Sequence, residues 1–170
     1  MTADQQQSLG NIRLRRPNRL ILAGLKAPKL LYNLGLGMLF GHRFLLLTHQ
    51  GRKSGLVYQT PLEVVRFDPI TRTSIVISAW GESSDWYRNI RDKGALQIQT
   101  GRDRYVPEQR LLSADESERE LELYRQKHGP SAKVLSFIFG VDLTGDSAQR
   151  RAFAEAARMV AFSPRSARQP

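Results

Sequence analysis

Five consecutive residues carry the densest chemistry in this sequence: Gly51, Arg52, Lys53, Ser54 and Gly55, set between the β-type runs FLLLTHQ and LVYQTPLEVV. In a tight turn, successive backbone N–H groups can face one concavity and hold an anionic oxygen. Arg52 adds a planar fork suited to two-point phosphate contact, Lys53 a compact charge and Ser54 a hydroxyl. The flanking glycines permit backbone angles that other residues resist. A phosphate is a chemically sound occupant; an exposed hairpin tip of ordinary turn-formers is the competing reading. A second cluster, SAWGESSDWYRN, runs from Ser78 to Asn89 and holds both tryptophans. Trp80 and Trp86 could line a pocket for a flat heterocycle, with Ser78 or the Ala79 backbone at its edge. The competing reading has Trp86 plugging the end of a barrel and Tyr87 on the surface. Asn89 is expected to tie down backbone rather than touch a ligand.

The charge favours an anionic partner. Residues 5–62 carry nine cations and no acid, and so supply nine of the ten net positive charges of the 170-residue chain. Such a field attracts phosphorylated cofactors, nucleic acid or an acidic membrane surface. Solubility alone is the plainer account of the arginines at 13–19. The chain has no cysteine, and His42, His49 and His128 lack metal-ligand spacing, so no disulfide and no metal centre is expected. The longest uncharged run, Leu30–Gly41, is shorter than the ~20 residues a spanning helix needs. It could lie on anionic lipid through its basic flank, or pack as a buried helix. No secretory signal is evident, and a cytoplasmic location is expected, with peripheral membrane contact left open.

These residues need elements to position them. The patterning gives a polar tail at 1–12, expected to be disordered, one domain at 13–162, and a loose basic tail at 163–170. Asn18–Met38 reads as a helix interrupted at Pro28. The runs on either side of Gly51–Gly55 read as a β-hairpin, with Pro61 at an edge or bulge. Phe67–Thr73 is a second turn, and TSIVISAW a third strand. SSDWYRNIRDKG is helical, capped by Ser83 or Ser84 and ended by Gly94. ALQIQT and RDRYVPEQRLL read as two strands joined at Gly101–Arg102. Ser113 and Glu116 form a capping box for a helix stopped by Gly129. Helical segments at 131–139 and 145–160 follow. Five or so antiparallel strands with helices added imply a small barrel in an α+β chain. The two common nucleotide motifs, GxGxxG and GxxxxGK[ST], are absent.

Taken together and in order, FLLLTHQGRKSG, TPLEVVR and SAWGESSDWYRNIR resemble the deazaflavin-dependent nitroreductase and quinone reductase family. Its members are split β-barrels related to the FMN-binding pyridoxamine-phosphate oxidase group. The resemblance spans roughly residues 30–112. It implies a split β-barrel with an N-terminal helix and C-terminal helices. It also implies a hydride transfer from reduced coenzyme F420, an 8-hydroxy-5-deazaflavin, to a quinone, nitroaromatic or activated alkene. By the same resemblance Arg52, Lys53, Ser54 and Gly55 meet the cofactor phosphate, and Thr60 and Pro61 lie beside the ring. Ser78, Ala79 and Trp80 meet the ring edge, and Trp86 closes the pocket. Tyr58, Tyr87, Tyr124 and His49 stand as unranked proton donors, and no catalytic residue is assigned. The expected partner is a small-molecule electron acceptor, with pairing into a homodimer also open. FMN or haem in the same barrel is the first alternative. A nucleic-acid-binding protein is the second, disfavoured because the aromatics cluster in one loop instead of interleaving with arginine.

Overall fold

The computed structural model of the chain describes residues 41–78, 80–127 and 147–165. Within them, Phe44–Gln50 (β1) and Val57–Asp68 (β2) pair antiparallel across the Gly51–Gly55 turn. Asp68 accepts the N–H of Ile70, which turns the chain into Thr73–Ser78 (β3). A single 3-10 turn, Gly81–Ser83, leads to the helix Asp85–Lys93 (α1), ended by Gly94. Ala95–Thr100 (β4) and Asp103–Tyr105 (β5) form the next hairpin, followed by Pro107–Leu111 (β6). Ala114–Lys127 (α2) opens on the expected capping box: Ser113 Oγ accepts the Glu116 N–H at 3.2 Å, and Glu116 Oε2 accepts the Ser113 N–H at 2.9 Å. Ser147–Ala156 (α3) precedes a last strand, Arg158–Pro164 (β7).

The strands form one antiparallel sheet in the order β5-β4-β1-β2-β3-β7-β6. β2 is its corner. The first half of β2 pairs with β1, and the second half, from Val64, pairs with β3 across a bulge between Val64 and Arg66. A bulge bends the strand and sharpens its twist. Pro61 lies in the first half, before pairing with β3 begins, where its missing N–H costs no bond. The sheet curls until its two ends approach. Gln109 of β6 bridges the remaining gap: its Oε1 accepts the Ala95 N–H and its Nε2 donates to the Ile90 carbonyl, both at 2.8 Å. The result is a split β-barrel.

Period-2 alternation then sorts the side chains. Leu45 and Leu47 of β1, Leu62 and Val64 of β2, Ile98 of β4, and Val160 and Phe162 of β7 share one buried cluster with Trp86, Tyr87 and Ile90 of α1. Val65, Ile75, Met159 and Ala161 alternate onto the other face and pack on Leu121 and Tyr124 of α2 and Phe153 and Ala154 of α3. Each large apolar side chain so buried contributes ~1.5–3 kcal/mol. The helix α1 is thereby clamped by its apolar residues, and its polar residues are held at the barrel mouth.

Four expectations are corrected. The strand count is seven among the described residues, where five or so were expected. RDRYVPEQRLL breaks at Val106 because β5 pairs with β4 while β6 pairs with β7. The helix expected over 145–160 stops at Ala156, and β7 takes in Ser163 and Pro164, which the sequence reading put in the tail. Tyr87, expected at the surface in the competing reading, is 2% exposed. The expected N-terminal helix, the segment at 131–139, the Gly129 stop and both tail ends lie outside the described residues. Among the described residues no helix is long and apolar enough to cross a membrane.

Candidate active site

The inner face of the β1–β2 hairpin changes character along its length. Leu45 faces Leu62, Leu47 faces Thr60, and His49 faces Tyr58. The apolar barrel interior thus gives way to polar groups at its mouth. There a cleft of about 610 Å³ opens between the hairpin tip, the Trp80 turn and α1. It gathers His49, Arg52, Lys53, Ser54, Tyr58, Thr60, Trp80, Asp85, Trp86 and Asn89, from β1, the tip, β2, the Trp80 turn and α1.

The tip is pinned from within. The Gly51 N–H donates to the Leu56 carbonyl at 2.8 Å, and the Gly55 N–H to the Gly51 carbonyl at 2.9 Å. Gln50 Nε2 holds the Gly55 carbonyl at 2.8 Å. Gly55 turns the chain at φ +70°, a conformation that disfavours any Cβ. Gly51 is needed for space: a Cβ there would lie 2.8 Å from the Tyr58 ring. The Arg52 N–H donates to Asn89 Oδ1 at 3.1 Å, and the Leu56 N–H to Ser54 Oγ at 3.3 Å. Only the Lys53 and Ser54 N–H groups therefore face no acceptor among the described residues, so the anion cradle is narrower than the whole turn.

Arg52 reaches across to α1. Its Nη1 donates to Asn89 Oδ1 at 3.0 Å and to Asp85 Oδ1 at 3.2 Å. Its Nε and Nη2 have no partner among the described residues. One nitrogen anchors the guanidinium while the others remain for a ligand. Asn89 ties down the loop backbone, as its amide suggested in the sequence. Trp86 sits three residues earlier on the same helix and serves both readings, because it lines the cleft and packs in the barrel cluster.

Not every expected residue arrives. Gly55 and Pro61 lie outside the cleft lining. Ser78 is 1% exposed, and its hydroxyl donates to the Gly81 carbonyl at 2.9 Å and lies 2.7 Å from Ser84 Oγ. It folds the Trp80 turn from behind and does not reach the cleft. Ala79 lies outside the described residues. Ser54 lines the cleft, but its Oγ also lies 3.1 Å from Tyr58 Oη. Of the proton-donor candidates, Tyr87 is buried in the barrel and Tyr124 donates to Glu63 at 3.2 Å beside a separate, larger cavity. Tyr58 and His49 do line the cleft. Asp85, Ser84 and Gln59 were not singled out as site residues in the sequence. Their only signal was proximity to residues that were.

His49 is 3% exposed. Its Nε2 lies 3.0 Å from Thr60 Oγ1 and its Nδ1 3.2 Å from Asn89 Nδ2. Burial holds its pKa below the ordinary 6.5, and the Asp85 carboxylate opposes that shift. Asp85 of α1 is the charged group that acts on it, and the Tyr58 ring of β2 stacks against it at 6.0 Å. A base that is harder to protonate folded than unfolded contributes stability at high pH and loses it on acidification. Stability is therefore expected to fall as the pH drops below 6.5 towards the lowered folded value. Urea midpoints between pH 7.5 and 5 on wild type and His49→Gln check this; a slope unchanged in the variant refutes it.

Among the described residues no cluster of His, Asp and Glu could hold a metal ion. The cleft does fit a flat heterocycle with an anionic arm. It has two indoles, two N–H groups facing no acceptor, a lysine and the unspent edge of an arginine.

No curated protein matches this sequence. Among solved structures, the chain is similar to an F420-H2 dependent reductase, FDR-A, at 17% identity and TM-score 0.48 over 72% of this chain and 96% of that one. It is also similar to a pyridoxamine 5'-phosphate oxidase-related, FMN-binding protein from Nostoc punctiforme, at 18% identity and TM-score 0.46 over 91% of this chain and 83% of that one. The family model described as F420H(2)-dependent quinone reductase matches residues 33–134, which take in the whole hairpin, the Trp80 turn and α1. With well over half of its length so matched, the chain belongs to the F420H(2)-dependent quinone reductase family and is an F420-dependent oxidoreductase.

Proposed function

We propose that the chain reduces an electron-poor organic acceptor, a quinone first and a nitroaromatic or activated alkene by the same chemistry, with F420 held in the Arg52–Trp86 cleft. The observation that carries this reading is that the family match runs through every element that encloses the cleft. When bound, the deazaflavin supplies a hydride. The chain supplies the rest. Lys53, the N–H groups of Lys53 and Ser54, and the outer edge of the Arg52 guanidinium bind the acidic tail. Trp80 and Trp86 flank the ring. Buried Trp86 and the Tyr58 ring shield the cleft from water, and the Tyr58 hydroxyl, 3.1 Å from Ser54 Oγ, stands at the tail end of the cleft.

The test is a titration of the purified protein with F420 and, separately, FMN, followed by turnover of a soluble quinone with reduced F420. F420 is expected to bind more tightly than FMN. Lys53→Ala is expected to weaken F420 binding roughly threefold to tenfold, as loss of one exposed charge-assisted contact does. Tighter binding of FMN, or no quinone turnover with reduced F420, overturns the reading.

A further inference from the structure

We infer that a directed chain of hydrogen bonds runs from Arg52 through Asn89 and His49 to Thr60, and that it fixes the Thr60 hydroxyl as a donor towards the ligand in the cleft. Asn89 and His49 are then positioning residues, acting through Thr60 and Arg52. The identity of the ligand as F420 rests on the reading above; the direction of the chain does not.

The direction follows from what each group can do. Arginine only donates. Both its backbone N–H and its Nη1 meet the same Asn89 atom, at 3.1 and 3.0 Å, so that atom is the amide oxygen. The other end of the amide is then the nitrogen, which also only donates. It lies 3.2 Å from His49 Nδ1, which must accept and so carries no proton. A neutral imidazole with bare Nδ1 carries its hydrogen on Nε2. That hydrogen goes to Thr60 Oγ1, 3.0 Å away. The Thr60 oxygen is thereby an acceptor from His49, and its own hydrogen has no acceptor among the described residues. Thr60 lines the cleft, so this hydrogen is offered to whatever occupies it.

Two features make the chain rigid. Asn89 and His49 are 5% and 3% exposed, so water cannot stand in for a missing bond. An Asn89 flip would set its nitrogen against two Arg52 donors, and would leave buried polar groups unsatisfied. Protonating His49 would set Nδ1–H against Nδ2–H, and the burial that keeps the imidazole neutral protects the chain. The ligand atom that Thr60 meets is therefore an acceptor, a ring carbonyl or ring nitrogen in the case of a flat heterocycle.

The first experiment needs no ligand. In 15N-labelled protein at pH 7.5, with His49→Gln used for assignment, the His49 ring is expected to show a protonated Nε2 and a bare Nδ1. The opposite tautomer overturns the inference. The second measures F420 affinity. Thr60→Val is expected to raise the Kd roughly threefold to tenfold, as loss of one neutral hydrogen bond does, and Thr60→Ser to restore it. In an Asn89→Ala background the same Thr60→Val step is expected to cost markedly less, because the hydroxyl is no longer oriented. An equal cost in both backgrounds, or none in either, overturns the positioning role. A wild type that binds no F420 sinks the cofactor reading instead, and the tautomer then decides the chain by itself.

Discussion

Arg52→Ala is expected to weaken F420 binding roughly ten- to a hundredfold, the loss of a charge-assisted hydrogen bond of about 1.5–3 kcal/mol. The argument separates what the variant removes from what it leaves. The backbone N–H of residue 52 still donates to Asn89 Oδ1, and the tip keeps its Gly51–Leu56 and Gly55–Gly51 bonds. The fold of the loop is therefore not at stake. The lost ion pair with Asp85 is also a small matter, because the Asp85 side chain is 78% exposed and such surface pairs are worth about 0–1 kcal/mol. What disappears is the half-spent guanidinium of a cleft-lining residue, whose Nη1 is anchored and whose Nε and Nη2 have no partner among the described residues. Arg52→Lys keeps the charge but not the fork, and is expected to recover only part of the affinity. Raising salt should weaken wild type more steeply than the alanine variant. Titrations of the three proteins at two ionic strengths check this, and superimposed curves for wild type and Arg52→Ala would remove the cleft from consideration as the anion site.

The same residue shows how far sequence reasoning reaches. The turn was legible because its chemistry is local: two glycines, two cations and a serine between two β-type runs specify a hairpin tip wherever they occur. The capping box at Ser113 and the start and stop of α1 were legible for the same reason. The partnership of Arg52 with Asn89 joins residues 37 apart and has no local signature. The last strand was lost for a different reason. Met159, Val160, Ala161 and Phe162 are four consecutive buried residues, since β7 lies inside the sheet between β3 and β6 and is covered on both faces. A continuous apolar run has no period, and next to the helical stretch before it reads as more helix. Ser78 is close to Trp80 in sequence, only two residues before it, but its hydroxyl is spent on the Gly81 carbonyl and Ser84 Oγ in the backing of the turn, a use with no local signature. The family resemblance named residues of which Arg52, Lys53, Ser54, Thr60, Trp80 and Trp86 line one cleft. Which atoms in it remain for a ligand depended on hydrogen bonds that only the folded chain shows.

The backing of that turn carries the largest expected loss of stability. Gly81 opens the 3-10 segment after Trp80 at φ +51°, and a Cβ there would lie 2.1 Å from the carbonyl oxygen of Ala156. That atom is backbone, at the junction of α3 and β7, and cannot swing aside as a side chain could. Gly81→Ala thus meets two penalties: about 1–2 kcal/mol for a left-handed non-glycine residue, and a further ~1–3 kcal/mol for forcing packed segments apart. Gly55→Ala separates them. Its φ is +70°, yet the nearest atom to its Cβ is Gln50 Nε2 at 3.9 Å, so only the conformational penalty applies. Urea unfolding is expected to rank wild type above Gly55→Ala and Gly55→Ala above Gly81→Ala. The ligand should report the difference in kind as well. To relieve the clash, either the α3–β7 junction or the Trp80 turn must move, and the turn is the shorter and more exposed of the two. Displacing it shifts the indole that walls the cleft, so Gly81→Ala is expected to lose F420 affinity even under conditions where it remains folded. Equal stability of the two variants would mean that the turn and the α3–β7 junction are not in contact in solution.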